Sequence, residues 1–464
     1  MILRHRNLDL LRFEWTESCG VCISWINDTA RQFLPLAFGE IVRTGDAREL
    51  EAPLAEWLCR RTAPMGRHFM RDLMASLGLN MRDPEFHRKA LEFSKGLSLN
   101  DVHWVVPDDF HGTWEVCNLY ANDFSKSMAE IAFTGHGLRS PEEATTSPEM
   151  TTNGMLPKCW RRVKGEILLC KAGSEASAVG SAVRGLEPYS EFYASQIAGA
   201  LGFDHVSYGL AMFKGRLCST CPIFTSEKIG YLPASNLENR ASALGDPRFA
   251  PIFLFDALIF NTDRHLGNFG YLVDNATNTV CGVAPIFDNG YGLFSLAADD
   301  SLLTSLRGRH PALFDSWLAF PGALNESLLT ALRRLEGFRF KRHQHYNLPA
   351  ERLDRIQRIL QKRVSDILEY GKDADKYIQI ADGRVGVNSK GGVGCVGVNT
   401  EDLDPLALQI LWNMKADPFV TARELAEVLS VEQRTIERRI RTLREKNVIR
   451  RAGEDKTGHW QVLV

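Results

Sequence analysis

The stretch Phe255–Asp274, FDALIFNTDRHLGNFGYLVD, decides how this chain is read, together with Ala284–Gly290, APIFDNG, just after it. It overlaps the most apolar window of the chain, Phe249–Phe260, which is about helix length and predicts a buried helix rather than a membrane anchor. A polar loop with Asp263 and Asn268 comes next, then a strand-like run, and the second segment brings Asp288. Asp, Asn and Gly are common turn formers, and any one of these residues alone reads as a cap or a turn. Their spacing says more. Phosphoryl transfer needs a carboxylate to orient or deprotonate the attacking hydroxyl, and amide and carboxylate oxygens to hold Mg²⁺ on the phosphates. An Asp, an Asn further along the same loop, and an Asp at the end of a following strand supply that set.

Around this segment the composition is that of a globular protein, with 44% hydrophobic and 24% charged residues, which argues against disorder or a fibrous class. A single core stops growing at roughly 250–300 residues, so a chain of 464 predicts several domains. The net charge of −2 gives no global field toward nucleic acid or anionic membrane, so any such attraction must be local. The opening MILRHRNLDLLRFEWTES lacks the apolar core of a signal peptide, and no stretch approaches the roughly 18 apolar residues of a membrane span. The expectation is a cytoplasmic protein with no membrane partner. Ten cysteines in such a chain predict reduced thiols, and the pairs Cys19/Cys22 and Cys218/Cys221 read as small buried hydrophobes in strands rather than as zinc ligands.

Residues 1–137 read as an α/β region with helical segments at Leu54–Arg61 and Arg67–Leu77, packed on the next domain, and GLSLNDVHWVVP within it reads as packing and turns. The Ser/Thr/Pro-rich Leu138–Asn153 marks a boundary. Strands are predicted at Lys158–Val163, EILLCK, Val206–Met212 and Cys221–Thr225, with a helix at SEFYASQIAGALG and a long amphipathic helix at Glu351–Tyr370. Strands with one helix, then a mostly helical part, predict an α+β body in two lobes over 138–380. Residues 381–402, rich in glycine, read as a linker before a last domain at 403–464.

The run NTDRHLGN followed by IFDNG resembles the C-terminal kinase region of the HipA-like family of bacterial serine/threonine kinases, over roughly Thr151–Tyr370. The resemblance implies a two-lobed protein-kinase-like fold, a small lobe at about 150–230 and a helical lobe at about 231–380, with ATP and Mg²⁺ as cofactors and a protein Ser/Thr hydroxyl as acceptor. It makes Asp263 the catalytic base and Asn268 and Asp288 the metal ligands. TTNGMLPKCW resembles the family's phosphate loop, with Gly154 giving the backbone access to phosphate and Lys158 following. Lys171 then comes from a strand as the ATP-contacting lysine, and Glu191 is its ion-pair partner on the next helix. A family serine that is autophosphorylated in this loop corresponds to Thr151 or Thr152. Adenine is expected near Phe224 and Glu227 on the strand Cys221–Thr225. The metal loop departs from the usual Asp-Phe-Gly and reads Asp-Asn-Gly. His265 reads as a scaffold residue of the loop. Family members are often toxins paired with a separate DNA-binding antitoxin, so the resemblance also implies an antitoxin partner, or a fused domain in its place.

That domain is legible in DPLALQILWNMK, TARELAEVLS and VEQRTIERRIRTLREKN as helices and VIRRAGEDKTGHWQVLV as a two-stranded wing, a pattern that resembles a winged helix-turn-helix. Ile436, Ile440 and Leu443 keep core spacing, which leaves Gln433, Arg434, Arg438 and Arg441 largely on the other faces, where the resemblance implies contact with double-stranded DNA. Two other readings stay open. One is a regulator whose kinase-like body senses a nucleotide or ligand without catalysis, and the other a kinase acting on a small molecule or lipid headgroup.

Overall fold

The chain opens with Ile2–His5 (β1) and Leu8–Trp15 (β2), an antiparallel pair followed by Val21–Ile26 (β3). His103–Val106 (β4) closes the sheet by pairing with β1, giving the order β3-β2-β1-β4. This computed structural model describes the chain outside residues 17–19, 65, 84, 138–146, 175–184, 238–244, 262, 296–323, 382–409, 411–413, 415–420, 430–432, 446–447, 453–458 and 463–464. It divides into two units, Met1–Arg309 with Glu326–Leu368, and His310–Asn325 with Glu369–Val464.

In the first unit, one face of the N-terminal sheet packs Leu3, Leu11 and Phe13 against Leu50 and Leu54 of Ala47–Cys59 (α1), a helix whose start is fixed by an Asp46/Glu49 capping box. The other face packs Ile2 and Trp104 against Trp114 and against Ile167 of the next sheet. Covered on both faces, all four residues of β4 are buried. HWVV therefore shows no alternation, and the segment expected to be turns is a strand. On β3, Cys22 is exposed rather than buried as expected, and Cys19 lies outside the described residues.

Lys158–Val163 (β5), Glu166–Ala172 (β6), Gly209–Phe213 (β7) and Arg216–Pro222 (β8) form the second sheet, in the order β5-β6-β8-β7. Its two hairpins close through Lys164-Gly165 and Lys214-Gly215, all at positive φ (53°, 87°, 48° and 75°), the backbone that two-residue hairpin turns require. The strand expected at Cys221–Thr225 instead ends at Pro222, where a residue without an N–H interrupts the ladder. Between the hairpins runs Glu187–Leu201 (α2).

Ile229–Pro233 (β9), Gly270–Asp274 (β10) and Thr279–Val283 (β11) make a third sheet in the order β11-β10-β9. Ala250–Ile259 (α3) is the apolar helix expected from the sequence, and it is buried along nearly its whole length. It stops at Phe260 in a left-handed conformation (φ 54°), which turns the chain into the polar loop. Ala350–Ala381 (α4) is the long amphipathic helix.

In the second unit, Ala422–Leu429 (α5), Gln433–Glu445 (α6), Ile449–Ala452 (β12) and His459–Val462 (β13) surround a core of Ile410, Met414, Leu425, Ile436, Ile440, Leu443 and Trp460. The glycine-rich segment expected as a linker lies, after Ala381, outside the described residues, as do the wing tip and most of the first expected helix.

Candidate active site

Sheet register brings the lysines together. Lys158 on β5 is the cross-strand partner of Lys171 on β6, and Lys171 is the partner of Ser219 on β8, so the three stand in one row on one face. Cys159, Cys170 and Cys218 point to the other face, into a core with Ala129 and Phe133. Cys221 shares the lysine face, since it lies three residues from Cys218 on the same strand.

The Lys171 ammonium donates to Glu191 Oε1 of α2 at 2.9 Å and to Asp288 Oδ1. Glu191, fully buried, takes a second hydrogen bond from Ser219 Oγ on its other oxygen. Burial opposes the charge on Lys171, but Asp288 and Glu191 overrule it and hold the ammonium well above the ordinary lysine range. Burial likewise opposes ionisation of Asp288, and Lys171 and then Lys158 overrule it, so this carboxylate stays well below its usual range. Glu191 is raised by burial, with Lys171 pulling the other way. Asp288 sits at φ 55°, a conformation uncommon for a residue with a side chain, and its N–H donates to Tyr208 Oη at 3.1 Å. Such outliers persist where surrounding structure over-determines them, as the Lys171 pair and Tyr208 do here.

The loop after α3 is organised by Arg264, buried and paired with the buried Asp256 of α3. Its Nε and Nη2 donate to the two Asp256 oxygens at 2.9 and 3.0 Å. Nη1 reaches Asn268 O at 2.8 Å and Phe287 O at 2.7 Å, and Nη2 reaches Asn289 Oδ1 at 2.7 Å. One guanidinium thus ties α3, the loop of Asp263 and Asn268, and both neighbours of Asp288. The pair leaves only half a trace in the sequence: a carboxylate inside an apolar helix demands a cation, but Arg248 and Arg264 lie equally far from Asp256 along the chain. His265 Nδ1 accepts the Gly267 N–H at 3.0 Å, a bond within the loop.

Asn268 donates through Nδ2 to Asp263 O at 3.3 Å, joining the two predicted residues. The Asp263 side chain is open to solvent, and its carboxyl is raised above the ordinary value by partial burial and then by the negative Asp288.

Gly154 takes φ 93°, a backbone conformation that residues with a side chain rarely adopt, and a Cβ there would lie 2.1 Å from Lys158 Nζ and displace that ammonium. Lys158 donates to Asn153 O at 2.8 Å. Burial, then the neighbouring Lys171, lower its pKa to about 7. Thr151 Oγ1 donates to Leu97 O at 2.8 Å, and Thr152 Oγ1 donates to Pro148 O at 2.6 Å while accepting Trp160 Nε1 at 2.9 Å.

Two predicted residues lie apart from this cluster of bonds. Phe224 packs its ring on Tyr231 and Phe287, at 5.4 and 5.1 Å between centroids, next to Asp288 in sequence. Glu227 faces the N-terminal region: its carboxylate accepts Trp114 Nε1 at 2.9 Å and its carbonyl accepts Arg6 Nη2 at 2.7 Å.

The donor set fits Mg²⁺, a hard cation that takes oxygen ligands. Asp288 is kept ionised, and the Asn268 amide, with its nitrogen engaged at Asp263 O, leaves Oδ1 for a cation. Among the described residues no cluster of three or more His, Cys, Asp or Glu makes a closed metal cage. Magnesium bound with phosphates needs none, since one or two protein carboxylates suffice.

In the second unit Ile436, Ile440 and Leu443 of α6 are buried, and β12 and β13 form an antiparallel ribbon after it. The C-terminal segment is a winged helix-turn-helix. Residues 403–450 match the family model for winged helix-turn-helix DNA-binding domains. The comparison with curated proteins found no match. Among solved structures, the chain is similar to the Helicobacter pylori proinflammatory kinase CtkA, at 18% identity over 52% of this chain and 96% of that one, with a TM-score of 0.37. It is also similar to the Shewanella oneidensis MR-1 toxin–antitoxin complex of HipA, HipB and operator DNA, at 12% identity over 83% of this chain and 100% of that one, with a TM-score of 0.47. Neither match assigns a role to a residue.

On the winged helix, Gln433, Arg434, Arg438 and Arg441 are all exposed on α6, opposite its buried face. Arg434, Arg438 and Arg441 follow the helical repeat and form one stripe. Gln433 Nε2 donates to Glu437 Oε1 at 2.7 Å. On the wing, Arg451 lies over the Trp460 ring, 4.9 Å from its centroid.

Proposed function

We propose that the body of this chain is an ATP- and Mg²⁺-dependent kinase that transfers the γ-phosphoryl group to a Ser or Thr hydroxyl of a protein, and that its winged helix binds double-stranded DNA. The observation that carries the reading is the Lys171 ammonium bonded to both Glu191 and Asp288, next to a loop that Arg264 fastens to the neighbours of Asp288.

In this reading Asp263 accepts the proton of the attacking hydroxyl, and its raised pKa makes it a better base than an ordinary Asp. Lys171 and Lys158 meet the phosphate charge, Glu191 keeps Lys171 in place, and Gly154 lets the loop backbone approach. Adenine lies at the segment of Phe224 and Glu227. Asn268 and Asp288 are the residues that would hold Mg²⁺, which when bound would neutralise charge on the phosphoryl oxygens. Phosphorylation of Thr151 or Thr152 requires the turn at Pro148 to open, because both hydroxyls are engaged there. With a DNA-binding domain on the same chain, operator binding does not depend on a separate antitoxin.

The test incubates the protein with γ-labelled ATP, Mg²⁺ and a bacterial lysate, beside an Asp263→Asn variant. Label should reach protein only with the native chain. Equal labelling by the two would refute the transfer, and nucleotide-tuned DNA affinity in that case would favour a regulator that senses nucleotide.

A further inference from the structure

Residues 1–137 offered no recognisable chemistry in the sequence, yet one of their segments lies along the phosphate loop. The Ala63 N–H donates to Met150 O at 2.7 Å and the His68 N–H to Met155 O at 2.9 Å. Between them a Cβ on Gly66 would come within 2.8 Å of Met155 Cε, so the two segments touch.

Arg67 enters the loop itself. Its Nη1 donates to Glu149 O at 2.8 Å and to Thr152 O at 3.3 Å, and its Nη2 donates to Glu149 Oε2 and to Lys158 O, both at 2.8 Å. The other Glu149 oxygen accepts the Trp160 N–H at 2.7 Å. Both side chains of the pair are 0% exposed.

One guanidinium therefore fastens the beginning, middle and end of the turn that contains Gly154. A planar fork of five donors can satisfy several carbonyls at fixed angles, and an ammonium on a flexible stem cannot. An apolar pair of similar volume would stabilise the fold about as well as a buried ion pair, so the pair's distinctive contribution is direction.

We infer that Arg67 is a positioning residue for the phosphate loop, and that the N-terminal region, through Ala63–His68, forms part of the scaffold of the nucleotide site. The inference rests on reading residues 151–160 as that loop.

The experiment uses the full chain as wild type, Arg67→Lys, which keeps the charge and loses the fork, and Glu149→Gln, which keeps the shape and loses the charge. Arg61→Lys is the control, because Arg61 is a second buried N-terminal arginine, bonded to Asp101 and Gly96 and not to the loop. Hydrogen exchange at residues 151–157 and steady-state kinetics against Mg–ATP are read in all four.

Both loop variants should show faster exchange at 151–157 with β1 and β2 unchanged. Their KM for ATP should rise roughly tenfold, the equivalent of one charge-assisted hydrogen bond, while kcat moves roughly threefold or less. The control should leave exchange and KM within about twofold of wild type, as for a side chain remote from the loop. Wild-type exchange in the loop of both variants overturns the inference, and so does an equal KM rise in the control. Should Arg67→Lys not fold, Glu149→Gln decides alone. Turnover by wild type with unchanged KM in the loop variants defeats this inference only. A wild type that neither binds nor turns over Mg–ATP defeats the nucleotide reading and this inference with it.

Discussion

Lys158 and Lys171 face each other across β5 and β6 and are perturbed in opposite directions, Lys158 downward to about 7 and Lys171 upward. Burial penalises both ammonium groups, and the difference lies in their partners. Lys171 meets two carboxylates, whereas Lys158 meets a carbonyl and the positive Lys171. Between about pH 7 and the ordinary lysine value near 10, the unfolded chain holds a proton that folded Lys158 does not. The unfolded state then binds more protons, so the Lys158 contribution to stability rises with pH across that window and is at its lowest below it. Urea unfolding of wild type and Lys158→Met should give a stability difference that moves in favour of wild type by a few kcal/mol, as an order of magnitude, from pH 7 to 10. A difference independent of pH would contradict the placement of this lysine.

Removing the other lysine has a different signature. Lys171→Met leaves Glu191 and Asp288 with like charges and no cation between them, in a site that is closed at Glu191 and only partly open at Asp288. Breaking one side of a buried pair costs about 3–5 kcal/mol, and phosphate transfer should be lost as well. Adding Asp288→Asn removes the repulsion, so the double variant should recover part of the stability and none of the activity. Denaturant midpoints together with transfer assays separate the two effects, and strictly additive losses would argue that the residues do not interact.

How far the sequence leads depends on how each residue does its work. Asp288 could be singled out from spacing and the needs of phosphoryl transfer, Lys171 and Glu191 only through the resemblance to HipA-like kinases, and the structure brings these three into contact. Asp256 inside an apolar helix announced the need for a cation without saying which arginine supplies it, and Arg67–Glu149 was invisible as a pair, since its members meet by tertiary contact 82 positions apart and leave no periodic trace. The strand expected at Lys158–Val163 is formed over those residues, whereas β4 was not expected, because a segment buried on both faces shows no period of two. The apolar helix α3 ends at a polar loop in sequence and structure alike, but only the folded chain shows that Phe260 makes the turn through a left-handed backbone.

Arg264 supports a prediction about geometry rather than charge. Arg264→Lys keeps the cation opposite Asp256 but cannot reach Asn268 O, Phe287 O and Asn289 Oδ1 together. The loop carrying Asp263 then loses its registration to Asp288. Misplacement on the order of 1 Å at a reacting group lowers rate by about a hundredfold, so kcat should fall by that order while Asp263 itself is intact. Single-turnover transfer by folded variant protein measures this directly, and a rate within a few-fold of wild type would show that the loop does not depend on Arg264.

The winged helix makes the remaining prediction, which stands apart from the catalytic reading. Arg434, Arg438 and Arg441 line one exposed stripe of α6, where mutual repulsion disfavours the isolated helix and an anionic partner relieves it. Each phosphate neutralised by such a side chain releases condensed counterions, giving a slope of about −0.9 in log affinity against log salt. Arg438→Ala should therefore weaken binding to duplex DNA of any sequence and reduce the salt slope by about one if Arg438 meets a phosphate. If it meets a base edge, the variant instead loses about 1–3 kcal/mol at one position of the preferred site and keeps the slope. Fluorescence anisotropy with labelled duplexes between roughly 50 and 200 mM salt, a range over which phosphate contacts weaken strongly, distinguishes the two. Unchanged affinity and slope in Arg434→Ala, Arg438→Ala and Arg441→Ala alike would mean that this stripe is not the DNA-binding face.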